Sequence, residues 1–141
     1  GMNKAVLKES CEKLYAQLGI EEYLNRRVET LSSGMTQKVS IARAVIHQPK
    51  VIIFDEPTTG LDIMATEVIL DFIQSQKENG VPVIFSTHHL DEVQALADRV
   101  AIIERGVTCF DDTLTAFREL AENGDLRTAF KRGISLAEEH V

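Results

Sequence analysis

"LSSGMTQKVSIARAVIHQPKVIIFDEPTTGLD", residues 31 to 62, is the stretch whose reading decides the fold. At its centre, "VIIF" (51 to 54) is a short β-branched apolar run without polar alternation, which predicts a buried strand of a parallel sheet. The run ends directly on Asp55, Glu56 and Pro57. Upstream, Ser32 or Ser33 is placed to cap a helix reaching about His47, with Val39, Ile41, Ala42, Val45 and Ile46 as its apolar positions and Pro49 as its stop. Downstream, the turn "TTG" leads to Asp62, which is placed to cap a helix running to about Asn79 and closed by Gly80. "VPVIFST" (81 to 87) then reads as a second buried strand. Strand, helix and strand within about 35 residues form the βαβ pattern, so the expected class is α/β, with parallel strands flanked by helices.

Outward from this centre the pattern continues. From Lys4 to Leu18, the positions Leu7, Cys11, Leu14 and Leu18 fall on one face of a helix that Gly19 ends. Ile20 to Arg27 reads as a further short helical piece, and His89 to Ala97 as another helix. "RVAIIERGVTCF" (99 to 110) predicts two strands joined at the Arg105-Gly106 turn. Asp112 or Thr113 then caps a helix to about Glu122, Gly124 breaks it, and the remaining residues read as helical. The expected organisation is one domain over residues 1 to 141, with a helical part to about 48, an α/β core from 49 to 110 and C-terminal helices from 111. Gly1 ahead of Met2 has the look of a residue left by tag cleavage, which makes Met2 the expected start.

Composition excludes several classes. A net charge of −7 argues against nucleic acid as a partner, because neutralising phosphates requires a basic surface. Cys11 and Cys109 are far apart and lack metal-site spacing, so they read as reduced thiols of a cytosolic protein. No apolar run approaches the roughly 18 residues of a membrane span, and no signal peptide is visible.

The chemistry gathers at strand ends. In open α/β sheets ligands sit at the carboxyl ends of the strands, so the run delivering Asp55 and Glu56 places two acids where a phosphate and its magnesium would bind. One acid suits a water-mediated Mg²⁺ site and the next suits polarising an attacking water. "SSG" (32 to 34) at a helix start offers backbone N–H groups and the positive end of the dipole to an anion. His88, at the end of the second strand, is placed to reach the same phosphate. Each feature also has a plainer reading: a polar turn after a strand, an ordinary serine cap, a turn histidine and, for Asp62, a helix cap. Their order and close spacing favour the phosphate site.

Read in order, these motifs resemble the C-terminal half of the nucleotide-binding domain of ABC transporters, a partial P-loop NTPase fold. "LSSGM" (Leu31 to Met35) is similar to the family's LSGGQ signature, with Ser33 in place of the first glycine and Met35 in place of the glutamine. "VIIFDE" resembles the Walker B strand, "TGLD" the D-loop and "STH" the switch region. The resemblance runs from about Leu14 to Phe110 and looks closest to bacterial exporter ATPases of the sodium- or drug-extrusion kind. It implies Asp55 as the magnesium-site acid through water, Glu56 as the catalytic base and His88 as the γ-phosphate sensor. It further implies Ser32, Ser33 and Gly34 as the phosphate-facing signature and Asp62 as a contact between two such domains. ATP and Mg²⁺ are the implied cofactors of the complete site. The implied partners are a second ATPase domain and a membrane permease, at the cytoplasmic face of the membrane.

One motif of the complete site is absent from residues 1 to 141: none of the eight glycines is followed by lysine, so no Walker A loop G-x-x-x-x-G-K-S/T is present. The expectation is that this half precedes Met2 or lies on another chain. Hydrogen bonds to charged groups contribute roughly 1.5 to 3 kcal/mol each, so lacking about four of them removes on the order of 6 kcal/mol, about ten-thousand-fold in affinity. The isolated chain is therefore expected to be inactive and to bind no cofactor by itself. The missing motif also takes a central strand with it, leaving open edges and an uncovered apolar face, from which a homodimer by strand or helix exchange is expected. A different reading is a non-catalytic module that pairs with an intact ATPase or membrane subunit. Coiled-coil heptads, zinc cysteines and a basic face, which a DNA-repair or chromosome ATPase would bring, are not seen.

Overall fold

The structure is a computed structural model and describes residues 4 to 138, with side chains from 8 to 136. Gly1, Met2 and the Leu7 side chain lie outside the described set. The chain forms two compact units that meet in sequence between Ser86 and Thr87.

The first unit opens with helix α1 (Lys4–Leu18), which Gly19 ends in the left-handed conformation at φ 61°. Leu18 is fully buried, with Cys11 and Leu14 half-buried on the same face, as the three- and four-residue spacing requires. Two 3₁₀ turns, Glu21–Tyr23 and Val28–Thr30, follow, the first within the expected short helical piece. Helix α2 (Ser33–Val45) buries Gly34, Ile41, Ala42 and Val45. It stops before His47 because the residue ahead of a proline disfavours helix, and Gln48, next to Pro49, turns the chain at φ 53°.

Strand β1 (Ile52–Asp55) pairs in parallel with β2 (Val83–Ser86), Ile53 opposite Ile84 and Asp55 opposite Ser86. Between them runs α3 (Ile63–Glu78), capped by Asp62 and closed at Gly80, with Ile69, Phe72 and Ile73 in the core. The pair corrects one expectation. "VIIF" reads as buried on both sides, yet only Ile52 and Phe54 are buried while Ile53 is 71% exposed. The physical reason is that β1 and β2 form a two-stranded sheet with one covered face, so alternate residues point to solvent.

The second unit carries α4 (Leu90–Leu96) and the antiparallel hairpin β3 (Arg99–Glu104) and β4 (Val107–Thr113). Arg105 and Gly106 both have positive φ, 49° and 80°, as a tight primed turn demands. Strand β4 runs three residues past Phe110, the expected end, so Thr113 rather than Asp112 caps α5 (Leu114–Glu119). That helix ends three residues short of Glu122. Helix α6 (Leu126–Glu138) then packs Leu126 and Ala129 with Ile102, Phe117 and Ala121 into a core that belongs to this unit. Among the described residues no helix is long and apolar enough to cross a membrane.

Candidate functional site

The strand β1 delivers Asp55 to its exposed carboxyl end, where the partner residue in register is Ser86 at the end of β2. The Ser86 hydroxyl donates to Asp55 Oδ1 at 2.6 Å and accepts the Glu56 backbone N–H at 2.9 Å. One hydroxyl thus joins the two acids in series. Glu56 departs from the strand into the left-handed region, φ 42°, a conformation that strains a side chain with a Cβ and that clusters at functional sites. Its carboxylate accepts from Thr59 Oγ1 at 2.9 Å, so backbone and side chain are both held.

The start of α2 is built by its own sequence. Ser32 is the cap, its Oγ accepting the Met35 N–H at 3.2 Å, and Ser33 is the first helical residue, exposed to solvent. The opening N–H groups of any helix lack intrahelical acceptors, which leaves this end suited to an anion. Gly34 faces inward: a Cβ there would come within 2.9 Å of Ala65 Cβ on α3. Ala65 is also the residue whose N–H Asp62 Oδ1 accepts at 2.8 Å. The plainer reading of Asp62 as a helix cap is therefore correct as geometry, and the same cap fixes the helix against which Gly34 packs. A further tie runs from Gln37 Nε2 on α2 to the carbonyl of Pro57, 3.1 Å away, just beyond Glu56. The helix start, the acid-ended strand and the Asp62 cap are consequently one connected construction within the first unit.

A shallow groove of about 140 Å³ opens beside Asp55, lined by Gln37, Ser40, Ile41 and Pro57. Nucleotide-sized pockets take several hundred Å³, so this groove does not by itself hold a nucleotide.

His88 belongs to the second unit, exposed, with its ring 4.1 Å from that of His89 and tilted by 38°. The segment bearing it is held from both sides: Thr87 Oγ1 donates to the buried Glu92 at 2.6 Å and accepts the His89 N–H at 3.0 Å. Thus Asp55, Glu56, Ser32, Ser33, Gly34 and Asp62 lie in the first unit, and His88 in the second.

Sequence reasoning left Ser86, Thr59, Gln37, Thr87 and Glu92 without roles. The signal for Ser86 and Thr87 was present, since a hydroxyl at the end of a buried strand beside an acid-ended neighbour needs a partner. Gln37 and Glu92 sit in helices whose apolar period says nothing of where a polar side chain reaches.

The parallel strand pair with its flanking helices is an α/β arrangement, and comparison with known proteins narrows the class. A family model for ABC transporters matches residues 3–59. The chain is 43% identical over 139 residues to the ABC transporter ATP-binding protein NatA of Bacillus subtilis (strain 168), covering 96% of this chain and 56% of that protein. It is 33% identical over 106 residues to the linearmycin resistance ATP-binding protein LnrL of the same organism, covering 75% of this chain and 34% of that one. A solved structure of an ATP binding subunit of an ABC transporter matches with a TM-score of 0.82 and 27% identity, over 95% of this chain and 57% of that one.

The chain belongs to the ABC transporter ATP-binding family, and corresponds to part of its ATP-binding domain. It spans about half the length of the first of these relatives and of the matched structure, and a third of the second relative. ATP and Mg²⁺ serve this family generally, and its ATP-binding subunits generally dimerise and pair with a membrane permease.

Proposed function

We propose that this chain supplies the signature side and the acid-bearing strand end of a composite ATP-hydrolysis site in a transport ATPase. The observation that carries the reading is the Asp55–Ser86–Glu56 series at the carboxyl end of β1, built beside the α2 start. Asp55 would hold Mg²⁺, through water, in the complete site. The residues fit that ion: Asp55 offers an exposed carboxylate oxygen at a strand end, which suits a hard metal that keeps most of its waters and takes its other ligands from phosphate. When bound, Mg²⁺ neutralises charge developing on the phosphate oxygens.

Glu56 accepts a proton from the attacking water, its carboxylate oriented by Thr59. His88 donates a ring N–H to the γ-phosphate. Ser32, Ser33 and the backbone N–H of Gly34, whose Cα side packs inward on Ala65, meet the nucleotide of a second ATPase domain at the α2 start, and Asp62 lies at the contact between the two domains. Residues 1 to 141 contain no Walker A lysine, so the phosphate loop comes from outside them and the chain alone is inactive. In the cell it sits at the cytoplasmic face of the membrane, joined to a permease. In isolation it forms a homodimer, because the exposed Ile53 and Ile84 lie side by side on the uncovered sheet face. A clean monomer by light scattering at micromolar concentration contradicts that part.

Calorimetry with Mg-ATP tests the central claim. The chain alone is expected to bind nothing at millimolar nucleotide, and micromolar binding would overturn the half-site reading. Mixing with the part of NatA that this chain does not span is expected to produce ATP turnover, abolished by Glu56→Gln. The uncovered Ile53–Ile84 face also favours a second reading, a non-catalytic module seated on an intact ATPase or permease subunit. Stable co-purification with such a subunit, without a contribution of Glu56 to turnover, would select it.

A further inference from the structure

We propose that Ser86 is a positioning residue for the hydrolysis site, setting the geometry of both acids through one hydroxyl. The inference rests on the roles proposed for Asp55 and Glu56. Three observations carry it. Ser86 is the register partner of Asp55, so the parallel pairing of β1 and β2 fixes the hydroxyl against the carboxylate with no loop in between. The donor bond to Asp55 is short, 2.6 Å, in the range of a hydroxyl donating to a charged acceptor. The same oxygen accepts the Glu56 N–H at 2.9 Å, at the residue where the chain turns to φ 42°.

The direction of the series matters. Because the Ser86 proton is committed to Asp55, its lone pair is aimed at the Glu56 amide, and each bond polarises the other. A change at Ser86 therefore acts at two places at once: it releases one oxygen of the metal-side acid and frees the backbone that aims the base. Threonine keeps the hydroxyl on a β-branched side chain that a strand accommodates well; alanine removes it. The Thr59 bond orients only the Glu56 carboxylate and cannot replace the backbone contact.

The test has an arm that needs no nucleotide. In the wild-type chain, Ser86→Ala and Ser86→Thr, NMR reads the hydrogen exchange of the Glu56 amide and the side-chain carboxyl carbon shift of Asp55. Ser86→Ala is expected to lower Glu56 protection by roughly tenfold, the ratio one ordinary hydrogen bond supports, and to move the Asp55 signal. Amides in the middle of α3 and the melting temperature change by no more than the loss of that one bond accounts for, and Ser86→Thr restores both signals. An unchanged Glu56 amide and Asp55 carbon in Ser86→Ala overturn the proposal.

The second arm uses the turnover assembled with the NatA part. Ser86→Ala is expected to lower kcat about tenfold with KM for ATP unchanged, as loss of an interaction made at the transition state does. Altered NMR signals with an unchanged kcat would also overturn the positioning role. If the wild-type mixture gives no turnover, the proposed function fails at that step, and the NMR arm alone decides whether Ser86 sets the two acids.

Discussion

Two non-glycine residues in the left-handed region, Glu56 of the first unit and Arg105 of the second, are held for different ends, while Gln48 of the first unit, like Arg105, turns the chain. In the second unit Arg105, φ 49°, is followed by Gly106 in a two-residue hairpin turn, where positive φ is the geometry that matches the twist of the strands. The conformation serves the chain's path. In the first unit Glu56, φ 42°, leaves a parallel strand into no hairpin, and its backbone and carboxylate are each tied by a hydroxyl, from Ser86 and Thr59. Here the conformation serves the placing of one carboxylate. The same contrast separates two helical glycines. A Cβ on Gly34 would meet Ala65 Cβ at 2.9 Å, whereas one on Gly133 would meet Ile102 Cδ1 at 2.8 Å. The first neighbour is fixed to its helix backbone, and the second is the end of a side chain that rotates aside.

The largest effect that sharpens this contrast comes from those glycines. Gly34→Ala forces α2 and α3 apart and is expected to destabilise by about 1 to 3 kcal/mol, despite the better helix propensity of alanine. Gly133→Ala, with the same gain in propensity and a yielding neighbour, is expected to fall within about 0.5 kcal/mol of the parent. Urea denaturation of the two variants measures both, and equal losses would break the distinction.

Helix α3, the Asp62 cap, the Gly80 stop, the Arg105-Gly106 turn and the parallel pair were legible because local rules decide them: cap chemistry, positive-φ glycines and apolar period. The acids at the end of β1 were legible because strand ends in parallel sheets face ligands. The uncovered side of β1 was not legible in "VIIF", since an apolar run looks the same whether one face or both are covered; it was legible only from the missing Walker A strand, whose absence led to the expectation of an uncovered apolar face. Nor was the packing role of Gly34, because the chain around "LSSGM" does not say that Ala65 lies opposite. The Ser86 bridge needed the strand register, which places residues 55 and 86 side by side.

Tyr23 marks another asymmetry, a buried hydroxyl of the first unit with no hydrogen-bond partner among the described residues. Removing an unsatisfied buried polar atom restores its desolvation penalty, so Tyr23→Phe is expected to stabilise by about 1 kcal/mol. Burial, and then the charge of Glu22, pushes the Tyr23 phenol above its ordinary pKa of 10.0. The native state therefore binds this proton more tightly than the unfolded chain does, and the associated stability, full below pH 10.0, is lost as pH rises through the folded value. Tyr23→Phe is expected to flatten that alkaline loss, and an identical slope in both proteins above pH 10.0 would contradict the assignment.

A smaller effect returns to the strained pair. A left-handed conformation costs a residue with a Cβ roughly 1 to 2 kcal/mol, and glycine relieves this while adding unfolded-state entropy of about 0.5 to 1 kcal/mol. Arg105→Gly is thus expected to gain about 0.5 kcal/mol. Glu56→Gly is expected to gain a similar amount in the chain while removing the base from any assembled site, which is how a strained functional residue behaves. Clear destabilisation by Glu56→Gly alone would show that the Thr59 contact outweighs the strain.

The smallest expected effect lies in the second unit, at the start of α6. Asp125 Oδ2 accepts from both the Thr128 N–H, 2.8 Å, and the Thr128 hydroxyl, 2.6 Å. Those bonds to the charged form hold its carboxyl below the ordinary value of 3.8. The unfolded state then takes up the proton first as pH falls, so the cap's contribution is present above pH 3.8 and disappears as the pH drops through the folded value. Asp125→Ala should accordingly differ from the parent at neutral pH and match it once the parent's Asp125 is protonated in both its folded and unfolded states. Because the group is fully exposed, water competes for each of these bonds and the difference at neutral pH is small. Paired denaturation curves at pH 7 and in strong acid read it, and a gap that persists unchanged in acid would mean that Asp125 supports α6 through packing of its side chain rather than through its charge.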